Sequence, residues 1–143
     1  MIICTIMTVQ DNHPAPIKIL IVDDNPAMLQ CLNRLLHFAG YQTATTLKAK
    51  EAAEITVSFR PALVILDLMM PELNGFWFLN WLRAQPGLAG IKALVLSAGG
   101  ESLLRKALAA GADAAMEKPF DREPFLATVA SLTAPPEPKR ESG

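Results

Sequence analysis

A chain of 143 residues, 51% hydrophobic and 19% charged, carries enough apolar content for one buried core and is too short for several domains. Thirteen Lys and Arg against fourteen Asp and Glu leave a formal charge of -1, which excludes a global field for nucleic acid or an anionic membrane and makes partner recognition local. The two cysteines, Cys4 and Cys31, form neither a metal spacing nor a disulfide framework; their apolar neighbourhoods read as reduced thiols, and the expected compartment is the cytoplasm.

In chain order, the opening MIICTIM is apolar but short and lacks a basic flank, so residues 1–16 read as a flexible extension rather than a signal peptide, with Met7 as an alternative start. Ile17 to Val22 is rich in β-branched residues and predicts a strand, and Asn25-Pro26 supplies a stop and a helix start. From Ala27 to Ala39, Met28, Leu29, Leu32, Leu35 and Leu36 recur at helical spacing, and Gly40 closes the helix. Tyr41 to Thr45 predicts a second strand and Leu47 to Phe59 a second helix, ended at Arg60-Pro61. Leu63 to Leu66 is apolar on both faces, as a central parallel strand must be. A helix follows Gly75 and stops near Pro86-Gly87; Lys92 to Leu96 is the fourth strand, Glu101 to Ala110 the fourth helix capped by Gly111, and Ala114 to Met116 the last strand. Asp121 is the expected cap of a final helix running to about Leu132. Residues 133–143 carry too much Pro and charge for a packed core and read as a disordered tail. No apolar run approaches the ~18 residues that cross a bilayer.

Five strands alternating with five helices predict an α/β fold, a doubly wound parallel sheet of flavodoxin-like order 2-1-3-4-5 with helices on both faces and one domain over residues 17–132. In that order the switch point lies between the first and third strands. Those strands end in Asp23-Asp24 and in Asp67, the fourth ends at Ser97, and Lys118 follows the fifth. Ligands bind beyond the carboxyl ends of such strands, so these residues form one candidate site. Three carboxylates in one crevice repel unless a cation is present, and hard oxygen donors suit Mg²⁺. Asp67, alone at the end of the central strand, is the candidate nucleophile for phosphoryl transfer; Lys118 and Ser97 would stabilise charge on the phosphoryl oxygens. A cis bond at Lys118-Pro119 would aim that lysine back into the crevice.

IKILIVDDNP, LVILDLMMPELNG, ALVLSA and EKPF, in that order, resemble the receiver domain of two-component response regulators. The resemblance implies Asp67 as phospho-acceptor, Asp24 as a direct Mg²⁺ ligand with Asp23 as its outer-sphere partner, the Met69 carbonyl as a further ligand, and Ser97 and Lys118 as the phosphoryl-sensing pair. It assigns Pro71 and Gly75 to the loop after the acceptor, where glycine would permit a positive φ. It further implies a phosphohistidine donor on a sensor histidine kinase or histidine phosphotransfer protein, an output through an unidentified protein, and self-phosphorylation rather than enzyme turnover. No basic helix appears and the last residues leave no room for an effector, so direct nucleic-acid or membrane binding is not expected.

The chain departs from the family where an aromatic usually stands three residues before the lysine; here it is Ala115. Met69 and Gly99 occupy positions that influence attack by water on an aspartyl phosphate, and neither side chain can hydrogen-bond that water, so slow self-dephosphorylation is expected. Phe76, Trp77, Phe78, Leu79, Trp81 and Leu82 exceed one helical stripe, leaving open an aromatic core or a surface for a dimer or partner. The rival functions are an unphosphorylated docking module and an aspartyl-phosphate hydrolase; the latter wants an acid where Met69 stands.

Overall fold

The computed structural model describes residues 15–68 and 75–134. Its strands are β1 (Lys18–Val22), β2 (Gln42–Thr46), β3 (Leu63–Asp67), β4 (Lys92–Ser97) and β5 (Ala114–Glu117); its helices are α1 (Pro26–Phe38), α2 (Ala49–Phe59), α3 (Gly75–Ala84), α4 (Glu101–Ala109) and α5 (Arg122–Thr133). The five strands form one parallel sheet in the order β2-β1-β3-β4-β5, the order expected from the sequence. The expected boundaries hold to within two residues, and four of the strands extend one residue further, taking in Thr46, Asp67, Ser97 and Glu117.

Alternation along each strand divides the core in two. Leu20, Val22, Val64, Leu66, Ala93 and Val95 face one side and pack with Ala49 and Ala52 of α2, Phe78, Leu79 and Leu82 of α3, and Ala107 of α4. Ile19, Ile21, Leu63, Ile65, Leu94 and Leu96 face the other, against Leu29, Leu32 and Leu36 of α1 and Phe125 and Val129 of α5. All five residues of β3 are buried, which is why that stretch reads as a continuous apolar run until Asp67.

Local chemistry sets the ends. Asn25 caps α1, its side-chain oxygen accepting from the amides of Ala27 and Met28, with Pro26 at the first helical position. Gly40 and Gly111 have φ of 98° and 117°, as expected for residues closing helices. Asp121 stands at the N-cap of α5 in extended conformation, but its side chain makes no capping bond, so the expected cap is positional only. Cys31 is exposed, because it falls off the Leu29, Leu32 and Leu36 stripe; it lines a surface hollow with Ala27, Gln30, Arg34, Leu35 and Phe38, so its surroundings are mixed rather than purely apolar. On α3 the aromatics divide: Phe78 is fully buried, Trp81 packs on the core with its ring 5.7 Å from that of Phe78, and Trp77 is 38% exposed.

One tie has no signature in sequence. The Arg83 guanidinium, at the end of α3, donates to the carbonyls of Gly111, Ala89 and Ile91 and meets Asp113 Oδ2 at 2.8 Å, while Asp113 also accepts from the Ala93 amide at 2.8 Å. A single planar fork thereby fixes α3, the loop before β4 and the loop before β5. Arg83→Ala is expected to cost about 2 kcal/mol in urea unfolding, since three carbonyls and a carboxylate lose their donor, with Arg83→Lys recovering less than half.

Candidate functional site

The register of the sheet builds the site. Val22 pairs with Leu66, so Asp23 lies one step beyond it at the level of Asp67; Asp67 pairs with Leu96, and Ser97 pairs with Glu117, one residue before Lys118. Four neighbouring strands therefore deliver Asp23, Asp67, Ser97 and Lys118 to one edge of the sheet, the arrangement expected at a topological switch point. Two backbone bonds continue the pairing past the strands, from the Asp23 amide to the Thr46 carbonyl at 3.2 Å and from the Lys118 amide to the Ser97 carbonyl at 2.9 Å.

The side chains converge. Lys118 Nζ lies 3.0 Å from Asp23 Oδ2 and 3.4 Å from Asp67 Oδ2, and the Lys118-Pro119 peptide is cis. Asp23 and Asp67 are buried and Asp24 is half-buried; one carboxylate oxygen from each of the three lies within 4.8 Å of the others. Asp23 is held at both oxygens, Oδ1 accepting from the Asn25 amide at 2.9 Å and Oδ2 taking the lysine. Burial pulls the Lys118 ammonium toward deprotonation, but the Asp23 hydrogen bond and charge, with the Asp67 charge behind them, outweigh it and hold its pKa above the ordinary 10.5. The site thus keeps a firm positive charge beside its acids at any physiological pH.

The donor set fits a hard divalent cation: three carboxylates, with Asp24 the most accessible, suit Mg²⁺ bound through one or two of them with retained waters. Ser97 is fully buried and its Oγ accepts from the Gly99 amide at 3.0 Å. The sequence reading named each of these residues except the Asn25 amide, whose clamp on Asp23 was legible only as a turn after the acids. Met69 and Pro71 lie outside the described residues.

Gly75 opens α3. The reason for glycine is space, because a Cβ there would stand 2.8 Å from the Asp67 carbonyl oxygen and 2.9 Å from Leu68 Cα, while the Gly75 amide donates to the Leu68 carbonyl at 3.0 Å. The start of α3 is pressed against the backbone that carries Asp67.

Comparison with known proteins agrees with this geometry. The family model described as response regulator receiver domain matches residues 19–130. Response regulator MprA of Mycolicibacterium vanbaalenii is 39% identical over 118 residues, covering 82% of this chain and 50% of its own length. The DNA-binding dual master transcriptional regulator RpaA of Synechocystis is 35% identical over 116 residues, covering 80% of this chain and 48% of its own length. The chain therefore spans about half the length of these curated relatives. Among solved structures, a response regulator from Chloroflexus aurantiacus superposes with a TM-score of 0.81 at 27% identity, covering 85% of this chain and all 100% of the other. The chemotaxis response regulator CheY4 of Vibrio cholerae superposes with a TM-score of 0.77 at 28% identity, covering 82% and 99%. Among the described residues no helix is long and apolar enough to cross a membrane. With the match spanning most of the sequence and the structural neighbours sharing its sheet, the chain belongs to the response regulator receiver domain family.

Proposed function

We propose that this receiver accepts a phosphoryl group on Asp67 from a phosphohistidine on a sensor histidine kinase or histidine phosphotransfer protein, and signals through altered binding to another protein. The observation that carries the reading is Lys118 Nζ set between Asp23 and Asp67, beside a three-carboxylate cluster. Asp24, Asp67 and the Met69 carbonyl would hold Mg²⁺, with Asp23 in the outer sphere. When bound, the ion supplies charge neutralisation that lets a dianionic phosphoryl group approach three acids.

The protein's own groups do the rest. An Asp67 carboxylate oxygen attacks in line; the P–N bond of the donor breaks with its electron pair returning to the imidazole nitrogen, and a P–O bond forms on Asp67. Lys118 follows the developing charge with an ammonium already desolvated and oriented, and Ser97 can donate its hydroxyl to a phosphoryl oxygen. The chain turns over no small substrate, so its chemistry is its own phosphorylation and dephosphorylation rather than enzyme catalysis.

Incubated with Mg²⁺ and acetyl phosphate, the wild-type chain is expected to gain one phosphoryl group by intact mass, and chelation of the metal to prevent it. Asp67→Asn is expected to gain none. If neither acetyl phosphate nor a phosphohistidine donor adds a phosphoryl group, the alternative of a fixed docking module replaces this reading. The phosphorylated state is expected to be long-lived, because Met69 and Gly99 offer no side-chain group to orient water. Met69→Asn is then expected to shorten its half-life severalfold, followed by loss of the phosphoryl mass.

A further inference from the structure

We infer that Leu103 is the positioning residue that couples Ser97 to α4 in this chain, standing in for the aromatic that Ala115 does not provide. The inference rests on the reading of Asp67 as phosphoryl acceptor. Ser97 Oγ accepts from the Gly99 amide, which fixes the hydroxyl in a tight turn leading into α4. Leu103, in the first turn of α4, lies directly over Gly99. A methyl group built at Gly99 would overlap Leu103 Cδ2, and it would sit 3.3 Å from Ser97 Oγ and 3.4 Å from Leu103 Cβ. The hydroxyl, the bare glycine and the leucine are therefore packed into the space of one side chain. Gly99 is glycine because Leu103 fills the volume its side chain would need; its φ is not positive.

Ala115 pairs with Val95, two residues before Ser97 on the neighbouring strand. Leu103 and Ala115 both pack against the buried cluster that contains Val95 and Ala107. Ala115 is a single methyl at this place, so it cannot swing inward to report on Ser97. The beginning of α4 is lightly anchored: its N-cap is Gly100, with φ of 90° and no side-chain capping bond. Asp67 pairs with Leu96 in the sheet, which puts Ser97 next to the acceptor. When the Ser97 hydroxyl turns to a phosphoryl oxygen on Asp67, the Gly99 amide loses its acceptor, the two-glycine turn relaxes, and Leu103 loses its seat. The first turn of α4 then rearranges, and the helix carries the signal without an aromatic switch.

Amide hydrogen exchange of peptides covering α4 tests this, read with and without Mg²⁺ and acetyl phosphate, with intact mass taken from the same samples. In the wild type, phosphorylation is expected to speed exchange across Glu101–Ala109 about tenfold. Leu103→Ala is expected to take up one phosphoryl group as the wild type does, to exchange rapidly before the donor is added, and to respond to it less than about twofold. Gly99→Ala forces Leu103 off its seat from the other side and is expected to give the same flattened response, so a Leu103→Ala chain that fails to fold leaves the test standing. A wild-type-sized response in the variants overturns the inference, as does one phosphoryl group gained by the wild type with α4 exchange unchanged. A wild-type chain that gains no phosphoryl group from acetyl phosphate or from a phosphohistidine donor overturns the proposed function, and the inference with it.

Discussion

Lys118→Ala is expected to lower the stability of the metal-free protein by about 3 kcal/mol at neutral pH, near the cost of removing one partner from a buried ion pair. The lysine side chain is 17% exposed and its partners Asp23 and Asp67 are 2% and 8% exposed, so water cannot easily replace the ammonium. The variant leaves acids from β1 and β3 facing one another, with Asp23 held in place by the Asn25 amide. Because the folded-state pKa of Lys118 is raised above 10.5, its stabilisation is complete below that pH and lost only as pH climbs through the folded value. The gap between wild type and variant should therefore stay constant from neutral pH to about pH 10 and narrow above it. Added Mg²⁺ is expected to narrow the gap at neutral pH, since a divalent ion among the carboxylates supplies part of the missing charge. Urea unfolding across pH, with and without Mg²⁺, measures all three effects. A variant as stable as the wild type in the absence of metal would show that the lysine is not the counter-ion of this crevice.

Gly75→Ala is expected to be as costly, at about 3 kcal/mol and a fall in melting temperature of about 10 °C, although it adds one methyl group. The clash is with backbone, the Asp67 carbonyl oxygen and Leu68 Cα, and neither can turn aside as a flexible side chain does. Relief requires α3 to lift from the end of β3, which strains the Gly75 amide bond to the Leu68 carbonyl and disturbs Phe78 and Leu79 in the core. Since Asp67 is the residue displaced, phosphoryl uptake should fall along with stability. Thermal unfolding with intact-mass phosphorylation reads both. By contrast, Gly40→Ala meets no neighbouring atom within 4 Å and is limited to the conformational cost of its positive φ, about 1 kcal/mol.

The sheet order and the converging residues were legible because parallel strands buried on both faces leave long apolar runs, and because Asp23, Asp67 and Ser97 stand where those runs stop. α1 was legible from its leucine spacing, and the ends of α1 and α4 from Gly40 and Gly111. What escaped was set by distance in sequence or by the shape of a gap. Arg83 and Asp113 are 30 residues apart, and no local pattern announces their pairing. Asp121 has the right chemistry for a cap, yet a rotamer decides whether it acts as one. Cys31 is exposed because it falls beside the buried stripe of α1, which its apolar neighbours in sequence do not announce. Gly75 and Gly99 are glycines of close approach, one to a backbone and one to Leu103, and the spacing of neither in the sequence says so. A sequence shows that a side chain is missing; only coordinates show what occupies its place.

Trapping the acyl phosphate bears most directly on the convergence of β1, β3 and β5 around one acceptor. Sodium borohydride reduces an aspartyl phosphate to homoserine, so wild-type protein treated with Mg²⁺ and acetyl phosphate, reduced and digested, is expected to yield homoserine at position 67 and aspartate unchanged at positions 23 and 24. Homoserine at 23 or 24, or a phosphoryl group on Ser97 with Asp67 unmodified, would contradict the assignment of the nucleophile.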